Sequence, residues 1–312
     1  MTCMPGHNPH GALAPLTPRE GTLRASLAAD VRMLSVEIGE RNVGHPRAYA
    51  AAADWIVSQL HQAGLQLHEE SYAVEQAEAR NLVGEIPGTG AKDQIVIIGA
   101  HYDSVEGTPG ANDNATGIAA LLALARHFAR SKPQRTLRFV AFANEEPPFF
   151  QTEQMGSLVY ARGCSARHEN VVAMLSLETM GYYSDAPGSQ HYPFPFSLLY
   201  PSTGSFLAFV GNLSSQALTR DAVRTFRRAR KLPAEGAAVP DVVPGIGWSD
   251  HWSFWRTGVP AVMVTDTAPF RYAHYHEATD TPEKMDFDRL ARAVVGLAGV
   301  IEELSGERSS VR

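Results

Sequence analysis

This chain of 312 residues has few cysteines, no basic cluster rich in aromatic residues and no long apolar run. Its two cysteines, Cys3 and Cys164, cannot form a disulfide framework, and neither belongs to a metal-type Cys pair. The formal net charge is −6, and no Lys/Arg cluster is interleaved with aromatic residues, so nucleic acid is not an expected partner. Because no apolar stretch reaches the length of a membrane span, a membrane is not expected as a partner either.

The first 18 residues contain Pro, Gly and His but no apolar stretch typical of a secretory signal peptide. We therefore expect a cytoplasmic protein, and a secreted one if a leader has been removed. We expect residues 1–16 to be a flexible segment, residues 17–306 to form one domain, and residues 307–312 to be a tail. At 44% hydrophobic residues, such a domain can bury a large core.

Alternating strand and helix patterns indicate an α/β fold. Thr17, Pro18 and Glu20 form the sequence signature of a helix N-terminus, and a second helix is expected from about Pro46 to Ala63, before Gly64. Farther on, strands are expected at 65–74, 81–86, 95–99, 137–143, 171–177 and 261–264, and helices at 117–130, 156–162, 214–230 and 287–304. This alternation predicts a single domain with a mainly parallel, mixed β-sheet that is flanked by helices on both faces.

Residues 185–211 interrupt this pattern with several prolines and aromatic residues. A long Pro-rich segment of this kind is unusual inside a compact domain unless it has a function. Two interpretations are open, a packed surface loop and a wall or lid of a pocket. We predict that the segment is a pocket-lining insertion.

Polar side chains follow several predicted strands at the point where each strand ends. His101 and Asp103 end the apolar run 95–100, and the Gly-rich loop 110–114 adds a further carboxylate. In an open α/β sheet, functional sites form at the carboxyl ends of the strands. Histidine and carboxylate ligands suit zinc, although ion-pair networks also cluster carboxylates. The candidates are His101, Asp103, Asp113, Glu145, Glu146, Glu178, and either His274 or His276.

The order of these motifs resembles the co-catalytic zinc aminopeptidases, a family of exopeptidases whose relatives include glutaminyl cyclases and glutamate carboxypeptidases. The resemblance extends from about Asn81 to Leu304. The motifs are His101-x-Asp103, Gly-x-Asn-Asp113-Asn-x-x-Gly117, Asn-Glu145-Glu146, Ser-Leu-Glu178, Ser-Asp250-His251-x-x-Phe254 and Tyr275-His276-x-x-x-Asp280-Thr281.

The resemblance implies two zinc ions per chain, bridged by Asp113. His101 and Glu178 would hold one ion, and Glu146 and His276 would hold the other. Many relatives have Asp at the position of Glu178, and the longer side chain can still act as a ligand. Cobalt or manganese could occupy the same ligands.

The resemblance also implies roles beside the metal ligands. Glu145 would be the general base, and Asp103 would orient the imidazole of His101. Tyr275 would hydrogen-bond the developing oxyanion, with core packing as the alternative role. The Asp250–His251 pair is expected to support the site by hydrogen bonding and not to bind metal.

The expected reaction is hydrolysis of an N-terminal peptide bond, with a peptide or small amide as substrate. A glutaminyl cyclase that transfers an acyl group with a single zinc ion, a carboxypeptidase of the same fold and a non-catalytic binding module are the alternatives. Residues 147–150, Pro-Pro-Phe-Phe, should form a wall of the pocket. Together with residues 193–196, they suggest a preference for apolar or aromatic side chains.

Overall fold

The computed structural model describes residues 3–9, 11–74, 77–192 and 194–306. Within these residues the strands are β1 Gln66–Val74, β2 Ala77–Ile86, β3 Gln94–His101, β4 Thr136–Phe142, β5 Asn170–Glu178, β6 Leu207–Gly211, β7 Ala234–Ala238 and β8 Ala261–Thr265. The α-helices are α1 Pro18–Arg32, α2 Pro46–Ala63, α3 Gly117–Phe128, α4 Gly156–Ala166, α5 Gln216–Ala229, α6 His251–Arg256 and α7 Phe287–Ser305.

The eight strands form one mixed sheet in the order β1-β2-β4-β3-β5-β8-β6-β7. Strands β4, β3, β5 and β8 pair in parallel and form its centre. Strand β2 joins β4, and β6 joins β8, in antiparallel orientation. The carboxyl ends of the four central strands therefore meet at one edge of the sheet. The prediction of an α/β fold with a mixed sheet is confirmed.

The two faces of the sheet bury separate hydrophobic clusters. Successive side chains of a strand point to opposite faces. Val96 and Ile98 accordingly pack in the larger cluster, which contains residues of α1, α2, α3, α5 and α7. Ile95 and Ile97 pack in the smaller cluster with residues of α4 and α6. Helices thus cover both faces, and the central strands are buried.

Helices α1 and α2 begin and end where the sequence signals predict. The Thr17 hydroxyl accepts a hydrogen bond from the backbone N–H of Glu20, and the Glu20 carboxylate accepts one from the N–H of Thr17. A π-helical turn extends α1 to Ile38. Gly64 ends α2 in the left-handed conformation, which glycine adopts without steric cost.

Three elements were not predicted from the sequence, namely β6, β7 and α6. Strand β6 occupies the end of the segment 185–211, and Phe196–Leu198 within the segment form a 3-10 helix. Residues 3–9 contact α5 and β7, because Arg227 donates hydrogen bonds to the carbonyls of Met4, Pro5 and Gly6. The domain boundaries stay predictions, and residues 307–312 lie outside the described residues. No helix in the described part of the chain is both long and apolar enough to cross a membrane.

Candidate metal centre and active site

The predicted ligands meet at the carboxyl edge of the sheet. His101 is the last residue of β3, and Glu178 is the last residue of β5. Glu145 and Glu146 follow β4 after a short turn, while Asp113 and His276 lie in the loops before α3 and after β8. All six candidate positions therefore converge on one site, as parallel strand ends favour.

One group of potential ligands surrounds the Oδ1 atom of Asp113. The Nε2 atom of His101 lies 3.2 Å from this oxygen and 3.3 Å from Oε2 of Glu178. Ligand atoms at the corners of a tetrahedron with metal–ligand bonds of about 2.0 Å are roughly 3.3 Å apart. Both distances from His101 thus match the spacing of tetrahedral zinc ligands, and one ligand atom of each of the three residues lies within 4.8 Å of the others.

A second group surrounds the other oxygen of the same carboxylate. The Nε2 atom of His276 lies 3.1 Å from Oδ2 of Asp113 and 3.4 Å from Oε2 of Glu146. Asp113, Glu146 and His276 therefore repeat the spacing of the first group. Because each oxygen of Asp113 faces a different histidine, this carboxylate could bridge two metal ions.

Several buried polar atoms of the centre make no hydrogen bond to a described residue. They are Nε2 of His101, Oδ1 of Asp113, Oε1 of Glu146 and Nε2 of His276. Buried polar groups are normally hydrogen-bonded or bound to a metal. The unpaired atoms and the ligand spacing both fit divalent cations at this position.

Glu145 is placed differently from the other carboxylates. Its Oε2 lies 3.9 Å from Nε2 of His101, farther than the oxygens of Asp113 and Glu178. A third potential ligand group combines His101, Glu145 and Glu146. The shorter distances favour the two groups around Asp113, and they leave Glu145 beside the metal positions.

The centre concentrates negative charge in a buried space. Burial raises the pKa of Glu178 and holds the pKa values of Glu145 and Glu146 well above their usual range. Burial alone would lower the pKa of His101, but Glu178 and Glu145 outweigh it and hold that pKa well above its usual value. Crowded carboxylates of this kind repel each other, and bound cations would stabilise their ionised forms.

Asp103 contacts both His101 and the two glutamates. The Nδ1 atom of His101 lies 3.2 Å from the backbone carbonyl of Asp103 and 3.5 Å from its Oδ1. A proton on Nδ1 can be donated to that carbonyl, which leaves Nε2 free to bind a metal. The Asp103 carboxylate also accepts hydrogen bonds from the backbone N–H groups of Glu145 at 3.1 Å and Glu146 at 3.0 Å.

Asp280 holds the loop that carries Asp113. Its carboxylate accepts hydrogen bonds from the backbone N–H groups of Asn112 and Asp113 and from the Tyr272 hydroxyl. Burial is the main reason that the pKa of Asp280 rises to about 6. The sequence motif that begins at Tyr275 includes Asp280, but the sequence did not show which groups Asp280 contacts.

Arg41 is a fully buried residue of the site that the sequence did not reveal. Burial lowers its pKa to about 10, so the guanidinium remains charged at neutral pH. It donates hydrogen bonds to five backbone carbonyls, those of Leu34, Gly39, Tyr102, Pro109 and Gly110. Since Tyr102 precedes the loop between Asp103 and Asp113, and Pro109 and Gly110 lie within it, Arg41 fixes the path of this loop. No motif or periodicity marks such a residue.

The Asp250–His251 pair was expected to support the site by hydrogen bonding, but the hydrogen bond to a proposed ligand comes from the residue before it. Ser249 donates the hydrogen bond to Oε2 of Glu178, at 2.7 Å. Nε2 of His251 lies 2.7 Å from the carbonyl of Ile246, and the carboxylate oxygens of Asp250 make no hydrogen bond to a described residue. The turn that precedes α6 brings Ser249 to the ligand. Burial raises the pKa of Asp250 to about 7, and the charges of His101 and Glu178 also act on it, so this carboxylate lies near the centre.

Three site positions have positive φ angles that non-glycine residues rarely adopt. Asn144 and Thr179 adjoin Glu145 and Glu178, and their φ angles are 53° and 41°. The φ angle of His276 itself is 59°. Such strain persists only where surrounding contacts enforce it, and it is common at functional sites.

An apolar cavity opens beside Glu178 and Tyr275. The half-buried ring of Tyr275 stacks on that of His276, with ring centres 3.9 Å apart. Burial holds the pKa of Tyr275 well above its usual value, so its hydroxyl is protonated at neutral pH. From the segment 185–211, Tyr192, Phe196, Tyr200 and Phe206 line this cavity.

Residues 147–150 do not line this cavity, so the cavity does not support the expectation that they form a wall of the pocket. Phe149 packs in the larger hydrophobic cluster, whereas Pro147 and Pro148 are exposed. The turn after Glu146 directs the phenylalanine into the core. One of the two sequence arguments for apolar substrates is therefore lost.

Residues 81–300 match the family described as Peptidase family M28. The chain belongs to this family. It is 35% identical to the uncharacterized protein YfbL of Escherichia coli (strain K12), over 91% of this chain and 88% of that protein. It is 27% identical to a probable leucine aminopeptidase of Trichophyton verrucosum, over 81% of this chain and 66% of that protein. The chain thus matches slightly less than two thirds of the fungal relative's length.

Solved structures share the fold. A zinc aminopeptidase from Bacillus subtilis superposes with a TM-score of 0.73, covering 90% of this chain and 95% of that chain at 16% identity. A glutaminyl cyclase from Fimbriiglobus ruber has a TM-score of 0.67, covering 94% and 97% at 19% identity. Membership in a peptidase family confirms the prediction of a peptidase and the resemblance on which it depended.

Proposed function

We propose that this chain is a zinc aminopeptidase that binds two metal ions and hydrolyses the peptide bond after an N-terminal residue. The observation that carries the proposal is the position of Asp113, whose two oxygens lie 3.2 Å and 3.1 Å from the Nε2 atoms of His101 and His276. The likeness to a probable leucine aminopeptidase supports the reaction. Histidine and carboxylate ligands at tetrahedral spacing support zinc.

The two ligand sets would share Asp113. His101 and Glu178 would complete one set, and Glu146 and His276 would complete the other. Bound zinc supplies a Lewis acid that polarises the scissile carbonyl and lowers the pKa of the attacking water.

Glu145 is the proposed general base. Its carboxylate takes the proton from the attacking water and passes it to the nitrogen of the leaving amine. The hydrogen bond from its backbone N–H to Asp103 fixes its position. The hydroxyl of Tyr275 donates to the carbonyl oxygen as negative charge develops there.

The lining of the cavity favours a substrate with a free amine over one with a free carboxylate. The described lining residues include the carboxylates of Glu178 and Glu235 but neither lysine nor arginine. Recognition of a terminal carboxylate normally uses a cationic side chain, arginine above all. An ammonium group is compatible with this lining, whereas a carboxylate would be repelled.

Steady-state kinetics with four matched substrates test the proposal. They are leucyl-p-nitroanilide, its N-acetylated form, an N-blocked peptide with a free carboxyl terminus and a peptide with N-terminal glutamine. We expect rapid hydrolysis of leucyl-p-nitroanilide but not of its N-acetylated form. Elemental analysis should find two zinc ions per chain. A chelator should abolish the activity, and added zinc should restore it.

Different results would identify the alternatives. One zinc ion per chain with conversion of N-terminal glutamine to pyroglutamate would identify a glutaminyl cyclase. Release of the C-terminal residue from the blocked peptide would identify a carboxypeptidase. Stoichiometric zinc binding without turnover of any substrate would identify a binding module.

A further inference from the structure

A row of four residues crosses adjacent strands from the centre of the sheet to its edge. The strand register pairs Glu178 with Thr265, Thr265 with Ala208, and Ala208 with Glu235. All four line the apolar cavity that also reaches Tyr275. Since paired strands are about 4.8 Å apart, the backbones of Glu178 and Glu235 are separated by about 14 Å. The cavity thus forms a trench with a proposed metal ligand at one end and a second glutamate at the other.

The trench between these glutamates is apolar. Thr265 and Ala208 form its floor, and aromatic rings form much of its walls. Apart from tyrosines, Glu178 and Glu235 are the ionisable side chains among the described lining residues. The rings belong to Tyr192, Phe196, Tyr200, Phe206, Trp248 and Phe270.

Two side chains outside the trench, Asn8 and Arg227, contact the carboxylate of Glu235. Asn8 donates a hydrogen bond to Oε1 at 2.8 Å, and Nη2 of Arg227 lies 3.2 Å from Oε2. Arg227 also donates to the carbonyls of Ala234 and of residues 4–6, so it has acceptors besides Glu235. A carboxylate offers about four acceptor positions, and these contacts use two of them. The Glu235 side chain, 19% exposed, can therefore accept further hydrogen bonds.

We propose that Glu235 determines which N-terminal side chains the enzyme prefers, by accepting a hydrogen bond from a donor at the far end of a long side chain. Lysine, arginine and tyrosine carry such a donor beyond an apolar body. This inference rests on the proposed function, because the carbonyl of the first residue must lie at the ligands near Glu178. A long side chain and a hydrogen bond of about 3 Å together span the length of the trench. Alanyl and leucyl side chains are shorter and end before Glu235.

Substrate pairs that differ only in the terminal donor test this proposal. We would compare kcat/KM for lysyl with norleucyl p-nitroanilide, and for tyrosyl with phenylalanyl p-nitroanilide. Glu235→Gln keeps the shape and one acceptor but removes the charge. It should lower the lysyl/norleucyl ratio about tenfold and leave the tyrosyl/phenylalanyl ratio within about twofold, because hydrogen bonds to charged groups are roughly twice as strong as neutral ones. Glu235→Met should lower both ratios.

Asn8→Ala separates substrate recognition from a structural role of Glu235. This variant loses the contact with the N-terminal segment and keeps the carboxylate, so both ratios should stay at wild-type values. If Asn8→Ala lowers the ratios as Glu235→Met does, Glu235 acts by fixing residues 3–9 and the proposal is wrong. Glu153→Gln, at an exposed ion pair with Arg162, controls for the loss of one charge.

Alanyl and leucyl p-nitroanilides measure the proposed function separately, because their side chains do not reach Glu235. The Glu235 variants could hydrolyse alanyl and leucyl p-nitroanilide and keep the wild-type lysyl/norleucyl and tyrosyl/phenylalanyl ratios. This result would overturn only the role of Glu235. Absence of turnover for every free-amine substrate in the zinc-loaded wild-type protein would overturn the aminopeptidase and this inference together.

Discussion

The Nε2 atom of His276 lies 3.1 Å from Oδ2 of Asp113, whereas Nε2 of His101 lies 3.2 Å from Oδ1 of the same carboxylate. One carboxylate thus faces two imidazoles that lie far apart in the sequence. Asp280 maintains this relationship, because it binds the backbone of the Asp113 loop and stands four residues after His276.

His276→Ala should remove one metal site and leave the other filled. Loss of a direct ligand should weaken binding at that site by at least about 100-fold, the upper end of the effect of removing a residue that only supports a ligand. Zinc content and competition with a chelator measure this loss. His274→Ala is the matched control, since Nδ1 of His274 pairs with the Thr279 hydroxyl at 2.7 Å and faces no ligand. Equal zinc loss in both variants would contradict the assignment of His276.

Glu145→Gln should retain two zinc ions and lose turnover by about 10²–10⁴-fold, because the amide cannot take the proton of the attacking water. The kcat for leucyl-p-nitroanilide and the zinc content are measured on the same preparation. Glu146→Gln is the matched comparison and should lose zinc. If Glu145→Gln loses zinc while Glu146→Gln keeps it, the roles of the two glutamates are reversed.

Arg41→Lys should weaken zinc binding by about 10–100-fold and lower the melting temperature, although Arg41 touches no proposed ligand side chain. A lysine ammonium cannot reproduce the planar fork with which the guanidinium holds the carbonyls of Tyr102, Pro109 and Gly110. Isothermal titration with zinc and thermal unfolding of the metal-free protein measure the two effects.

Arg47→Lys provides the control for Arg41, because Arg47 is exposed in the first turn of α2. This variant should match the wild type in both measurements. Wild-type zinc affinity in Arg41→Lys would mean that Asp280 alone is sufficient to hold the Asp113 loop.

The ion pair between Glu20 and Lys231 should make stability depend on pH. Burial alone would raise the pKa of Glu20, but Lys231 and the Thr17 cap outweigh it and lower this pKa to about 2. A carboxyl whose pKa is lower in the folded state stabilises the fold above its unfolded value near 4.5. This stabilisation is lost as the pH falls from about 4.5 to about 2.

Lys231→Met should therefore unfold at a lower denaturant concentration than the wild type at pH 7. The difference should shrink below pH 4.5 and be absent only below about pH 2, where Glu20 is protonated in both proteins. Lys132→Met, which changes an exposed lysine, controls for the loss of a positive charge. A difference that does not change with pH would assign the effect to packing of the lysine side chain.

Elements with a strong hydrophobic period were predictable, whereas short edge strands were not. Strand β3 combines an apolar run with a polar end, so both its position and the role of His101 as a candidate ligand could be inferred. Strand β7 is the sequence Ala-Glu-Gly-Ala-Ala, which has no periodicity typical of a strand. It forms a strand because β6 pairs with it, and pairing with a distant segment leaves no recognisable pattern in the strand's own sequence.

The sequence by itself determined the fold class and the candidate ligands, because parallel strands bring their carboxyl ends together whatever the intervening loops do. Only the tertiary structure decided the contacts of Arg41, Ser249 and Glu235. Each of these side chains meets its partners through chain folding. Arg41 and Glu235 stand outside the motifs, and Ser249 belongs to a motif whose contacts the sequence did not show. The direction of Phe149 into the core likewise depends on one turn after Glu146. Residue type and spacing thus predict which groups can bind a metal, whereas long-range packing decides what surrounds them.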